Sequence, residues 1–269
     1  MPQYTMDLPP IAYKEDEICE EPPIHVPSKI ILFDSLNIEN LGLKPSATWK
    51  QQTEELIELG KPKRVLWIRH GEGIHNAAEK RVGKELWEAV ESKKPIYFDP
   101  DLNDVGKEQS KKLAIALHPH LSSKGLEVDL IIVSPLIRAI RTAEIAFGSI
   151  WETTPVIAVE LARERHGKNV CDSRRTVQEL KTMFPKVDFD RFMVDDKDVW
   201  HTEVRETPEQ VRERVKKFMR WLMDLPHLTV AVVGHSDFMS HAVEVAGYSP
   251  HWPSNCELVP MLLRLTSNQ

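Results

Sequence analysis

The chain of 269 residues carries 41 Asp+Glu against 35 Lys+Arg, a formal net charge of −6, with 41% apolar and 28% charged residues. That apolar share is too high, and the net charge too low, for a disordered chain, and the length allows one large domain or two small ones with a proper core. The acidic balance excludes a broad basic face for nucleic acid or an anionic membrane, but not a small basic pocket.

Three cysteines, Cys19, Cys171 and Cys256, lack the number and spacing of a disulfide framework or a thiolate zinc site and read as reduced thiols. No basic-then-apolar leader opens the sequence, and no apolar run nears the ~18 residues of a membrane span. A soluble, cytoplasmic protein is expected, with access to the nucleus left open.

Residues 1–28 form a proline-rich, acidic N-terminal arm in which proline and charge oppose regular pairing and collapse. Residues 29–269 then read as one domain. A helix capped by Ser46 and stopped by Gly60 leads to the apolar run Val65-Leu66-Trp67-Ile68, a buried strand. His75 to Val90 reads as helical, and another helix begins near Asn103 and Asp104. Leu130 to Val133 is a second buried strand, and Ser134-Pro135 opens a helix to Phe147 with proline in its first turn. A third strand covers Val156 to Val159, a helix Val177 to Phe184, and an acidic loop Asp188 to Asp198. Thr207-Pro208-Glu209-Gln210 is a capping box for a helix ending near Asp224. Thr229 to Val233 is a fourth strand, followed by a helix to Ala246 stopped by Gly247, and Leu258 to Leu265 is a last strand. Four short, continuously apolar strands alternating with helices predict an α/β fold with a mainly parallel sheet covered on both faces.

Ligands in such folds bind at the carboxyl ends of the strands. Those ends read Arg69-His70-Gly71-Glu72, Ser134-Pro135-Leu136-Ile137-Arg138, Glu160 with Arg163-Glu164-Arg165-His166-Gly167, and Gly234-His235-Ser236. Two histidines, two arginines and a carboxylate therefore gather at one edge. Guanidinium groups match phosphate oxygens, imidazole is a good nucleophile toward phosphorus, and a leaving alkoxide needs a proton from a carboxyl group. The set predicts phosphoryl transfer.

Arg69-His70-Gly71-Glu72 resembles the signature of the histidine phosphatase (phosphoglycerate mutase-like) superfamily. Asn76, the segment Asp101-Leu102-Asn103-Asp104-Val105-Gly106 with Gln109, the run Ser134 to Ala139 with Thr142-Ala143, and Val233-Gly234-His235-Ser236 resemble its further motifs, so the likeness covers about residues 64–245. It implies a three-layer α/β/α sandwich with helical lid insertions at about 74–100 and 165–205. It also implies that His70 becomes phosphohistidine, that Arg69, Arg138 and His235 bind the phosphoryl group, and that Asn76 adds a hydrogen bond. Glu164 is the general acid the resemblance selects, with Glu160 as rival and Glu72 as a weaker one. Gly73, Arg165 and His166 are candidate substrate contacts. No metal and no cofactor is implied, the ligand is a small phosphorylated substrate, and a homodimer is left open.

Gly73 stands where mutases of the superfamily usually have Ser, and Asp237 where they have Asn. Cys171-Asp172-Ser173-Arg174-Arg175, Phe184-Pro185, Asp198 with Trp200, and Arg205-Glu206-Thr207 resemble the fungal and plant mutase-like phosphatases. A phosphatase is therefore expected ahead of a mutase or an inactive regulatory protein on the same fold. Arg174 and Arg175 either guide an anionic substrate or pair with the acidic loop. That loop lacks the Gly and terminal Glu of a calcium site. His118-Pro119-His120 reads as an exposed helix end, and Trp87, Trp200 and Trp221 as packing residues.

Overall fold

The computed structural model describes residues 63–122, 125–193, 195–198, 204–247 and 251–265, together with 24–25, 51 and 54. Apart from Gln51 and Glu54, the expected helix from Ser46 to Gly60 lies outside the described residues, as do most of the N-terminal arm, Cys19 and Trp200. The arm does contribute β1 (Ile24–His25), two residues pairing antiparallel with the last strand.

The remaining elements are β2 (Lys63–Arg69), α1 (Ile74–Val82), α2 (Lys84–Ala89), α3 (Asp104–Ser122), β3 (Leu130–Val133), α4 (Ile137–Ala146) and β4 (Val156–Ala158). They continue with α5 (Val177–Met183), α6 (Pro208–Asp224), β5 (Thr229–Gly234), α7 (Ser236–Val245) and β6 (Leu258–Leu265). The sheet order is β1-β6-β2-β5-β3-β4. The four apolar strands β2, β5, β3 and β4 run parallel, and β6 joins β2 antiparallel.

The side-chain period of two divides each strand between two cores. Val65 and Trp67 face one way, against Val215, Phe218 and Leu222 of α6 and Phe238 and Ala242 of α7. Leu66 and Ile68 face the other, against Leu113 and Leu117 of α3 and Ile140 and Ala143 of α4. Both faces are covered, giving the α/β/α sandwich. Full burial of one such aliphatic or aromatic side chain stabilises by about 1.5–3 kcal/mol.

The Thr207 capping box forms as read: Thr207 Oγ1 accepts Gln210 N–H at 3.3 Å, and Gln210 Oε1 accepts Thr207 N–H at 2.8 Å. Gly247, at φ 88°, follows α7. Three boundaries differ from expectation. The helix expected from His75 to Val90 breaks into α1 and α2 at Gly83, which takes φ 83°. Pro135 lies ahead of α4, which starts at Ile137, because the chain first crosses the strand edge extended at Leu136. The strand expected from Val156 to Val159 ends at Ala158, and Glu160 opens a short 3-10 turn, Glu160–Ala162.

The two insertions meet over the strand ends. Ala78, Trp87 and Tyr97 of the first pack with Cys171 of the second in a small apolar cluster. Trp87 and Trp221 are buried, as packing residues should be.

Candidate active site

Parallel pairing sets the site. Arg69 is level with Gly234, and Val133 with Val233 and Ala158. The residues that leave these strands therefore emerge side by side, with His70 N–H donating to Gly234 O at 2.9 Å and Ser134 N–H to Val233 O at 3.0 Å.

His70 is buried at the centre. Its Nδ1 lies 2.6 Å from Gly71 O. A carbonyl only accepts, so the proton is assigned to Nδ1 and the lone pair to Nε2. Arg138 Nε–H reaches that Nε2 at 3.3 Å. Burial first, then the charges of Arg138 and Arg69, hold the His70 pKa well below 6.5, so the ring is neutral. His235 flanks His70, ring centroids 5.0 Å apart, with Nε2 2.8 Å from Ser134 Oγ. It too is kept neutral, by burial and then Arg138.

The loop after β2 is held tightly. Gly71 N–H donates to Thr142 Oγ1 at 3.0 Å, Glu72 N–H to Gln109 Oε1 at 2.8 Å, and Asn255 Nδ2 to His70 O at 3.0 Å. A Cβ on Gly71 would lie 2.5 Å from Gly106 O, so the two backbones touch and only glycine fits.

The cations are unequal. Arg69 donates from Nη1 to Pro253 O at 2.9 Å. Arg138 is buried and anchored from behind: Nη1 donates to Cys171 O at 2.6 Å and Nη2 to Asp172 Oδ1 at 3.1 Å. Arg205 closes on the other Asp172 oxygen at 2.6 Å. Asp99, at φ 40° and fully enclosed, accepts Ile137 N–H at 2.9 Å and Arg175 N–H at 3.1 Å. It caps α4 beside Arg138 and ties it to both insertions.

The three candidate carboxyls separate by environment. Glu160 is buried and accepts from Arg163 at 2.8 Å and from Arg174 at 3.0 and 3.1 Å, as a structural anion does. Glu72 bonds Lys80 and, at 2.8 Å, Asn103, and these bonds hold its pKa down. Glu164 has its pKa raised, by burial first and then by Asp237 and Asp172. It accepts Arg165 N–H at 2.9 Å and Ser236 Oγ–H at 3.4 Å.

Other expected contacts are occupied. Asn76 Oδ1 accepts Gly73 N–H at 3.0 Å, bracing the start of α1. Arg165 Nε donates to Glu206 O, and His166 N–H to Glu206 Oε2 at 3.3 Å, so both are drawn toward the Glu206–Arg214 pair. Of the two readings for Arg174, pairing holds: it is buried and donates to the carbonyls of Asp195, Asp196 and Lys197. Arg175 lies over the Phe98 ring at 5.6 Å. The acidic loop is not wholly solvated, because Asp198 binds Arg163 at 2.8 and 2.9 Å. His120 is buried, unlike the exposed helix end expected.

Sequence reading did not single out His75, Asp99 or Asn255. His75 stood one residue from Asn76, inside the quoted motif, while Asp99 and Asn255 carry no local signal. Among the described residues no group of three or more His, Cys, Asp or Glu side chains is arranged to hold a metal ion, and no helix is long and apolar enough to cross a membrane.

Residues 65–252 match the family model of the histidine phosphatase superfamily (branch 1), and the chain belongs to that superfamily. Its relatives lie in the plant and fungal mutase-like branch. It is 32% identical over 246 residues to phosphoglycerate mutase-like protein of Arabidopsis thaliana, covering 77% of this chain and 87% of that one. It is 30% identical over 249 residues to phosphoglycerate mutase-like protein 1 of the same plant, covering 77% and 83%. The ecdysone phosphate phosphatase of Bombix mori, solved with tungstate, shares the fold with a TM-score of 0.51 at 14% identity, over 77% of this chain and 92% of that one. Family membership supports phosphatase-type phosphoryl transfer in general terms.

Proposed function

We propose that the protein is a phosphomonoester hydrolase that passes the phosphoryl group of a small metabolite through His70 to water, without a metal or organic cofactor. One observation carries this reading: the His70 Nε2 lone pair faces Arg138 Nε–H at 3.3 Å, in a buried setting that keeps the imidazole neutral. His70 Nε2 attacks phosphorus, forming the N–P bond as the P–O bond to the leaving group breaks. Glu164 gives its proton to the departing oxygen. Water then attacks phosphorus, Glu164 takes its proton, the N–P bond breaks, and inorganic phosphate leaves with His70 restored. Arg69, Arg138 and His235 stabilise charge on the three equatorial oxygens.

Hydrolysis is preferred to mutase chemistry because the side of the site holding Glu164 also carries Asp237, which acts on it through space. A carboxylate there disfavours a substrate with a second anionic group next to its phosphate. The names of the plant relatives keep phosphoglycerate mutase-type transfer as the second reading.

The test is release of inorganic phosphate from p-nitrophenyl phosphate in the presence of a chelator, with acid-labile, base-stable labelling of His70. Inactive wild type, or full turnover by His70→Ala, removes the reading. Phosphoglycerate interconversion that requires a bisphosphate primer moves it to the mutase.

A further inference from the structure

The pocket holds a third imidazole that the reaction above does not use. His75, in the first turn of α1, is only 7% exposed, and its ring centroid lies 5.9 Å from that of His70. Its Nδ1 finds no hydrogen-bond partner among the described residues. An unpaired buried polar atom costs about 1–3 kcal/mol, so such a nitrogen is uncommon away from functional sites.

The backbone around it is shaped to admit this ring. A Cβ on Gly73 would lie 2.6 Å from His75 Nδ1 and 2.7 Å from Cε1. The space of any side chain at 73 is thus held by the Nδ1 edge of His75. Gly73 itself is fixed by its bridge to Leu102 and by the bond from its N–H to Asn76 Oδ1. The ring therefore stands on a braced segment beside His70, whose ring also has that of His235 at 5.0 Å.

We propose that His75 is a further catalytic residue, whose imidazole Nδ1–H donates to a non-bridging oxygen of the phosphoryl group in transit to His70. Burial, then the charges of Arg138 and Arg69, keep this ring neutral, so it supplies an oriented N–H dipole and no net charge. Preorganised donors of that kind act most strongly where water is excluded. The proposal rests on the phosphatase reading of the same pocket.

The test compares wild type with His75→Phe, which keeps a ring and loses the donor, and His75→Asn, whose amide N–H lies near the Nδ1 position. Three quantities are measured: kcat/KM on p-nitrophenyl phosphate, the inhibition constant of orthovanadate, and the melting temperature. His75→Phe should lose about 100-fold in kcat/KM, the usual effect of removing one such donor. Orthovanadate affinity should fall in parallel, His75→Asn should recover most of both, and melting should be unchanged. Wild-type kcat/KM in His75→Phe, or equal losses in the two variants, overturns the proposal. Wild type that is inactive and takes up no phosphoryl group on His70 overturns the phosphatase reading and this proposal with it. Active wild type with an unaffected His75→Phe overturns this proposal alone.

Discussion

Arg138 Nη2 and Asp172 Oδ1 meet at 3.1 Å with both side chains buried, while the second oxygen of Asp172 holds Arg205 at 2.6 Å. Asp172 belongs to the second insertion, so that insertion supplies the anion that orients the arginine beside His70.

Removing that anion leaves Arg138 buried beside one carbonyl. Asp172→Ala is expected to lower stability by about 3–5 kcal/mol, as breaking a buried pair does, and to reduce kcat/KM at least about tenfold. Urea denaturation and p-nitrophenyl phosphate kinetics measure the two effects. Wild-type values for both would show that Arg138 needs no such anchor.

Glu160 and Glu164 should separate by leaving group. Glu164→Gln is expected to slow alkyl phosphates by about 10²–10⁴-fold and p-nitrophenyl phosphate much less, since a good leaving group needs little protonation. Glu160→Gln should instead destabilise the fold by about 3 kcal/mol, because Arg163 and Arg174 lose their shared anion. Its effect on rate should not vary with the leaving group. The reverse pattern would transfer the acid role to Glu160.

The pH profile follows from opposite shifts in two groups. His70 titrates well below 6.5, so its imidazole stays neutral in mild acid. Burial, then Asp237 and Asp172, raises the folded Glu164 pKa above 4.5, so it holds its proton to higher pH than a free carboxyl. Activity should hold at mildly acidic pH and fall as pH rises through the raised Glu164 value. Stability has the same sign. Between 4.5 and the raised value the folded state binds more protons than the unfolded, so stability falls as pH rises. Glu164→Gln removes this loss and should gain stability relative to wild type with increasing pH in urea titrations. A pH-independent difference would contradict the shift.

Asp99 offers a parallel measurement away from the reacting atoms. Burial pushes its pKa from 3.8 up to about 6 despite its bonds from Ile137 and Arg175 N–H. The stability difference between wild type and Asp99→Ala should therefore shrink by roughly 3 kcal/mol from below pH 3.8 to above pH 6. The variant also loses the cap of α4, so a reduced rate from the shifted Arg138 is expected. Unchanged kinetics would show that the cap does not position the arginine.

The sequence by itself determined the alternation of strand and helix and the gathering of one site edge. Continuous apolar runs such as Leu130 to Val133 can only be buried on both faces, and residues just beyond parallel strands must share an edge. His70, Arg138 and His235 were legible for that reason. Only the tertiary structure separated the three carboxyls. Glu160, Glu164 and Glu72 look alike in sequence, but folding sets Arg174 against the first, Asp237 near the second and Lys80 against the third. The same holds for Asp172 and Asp99, whose bonds join the two insertions to α4. Local spacing carries the periodicity of an element, whereas the field at a buried group is the sum over every charge that folding brings near it.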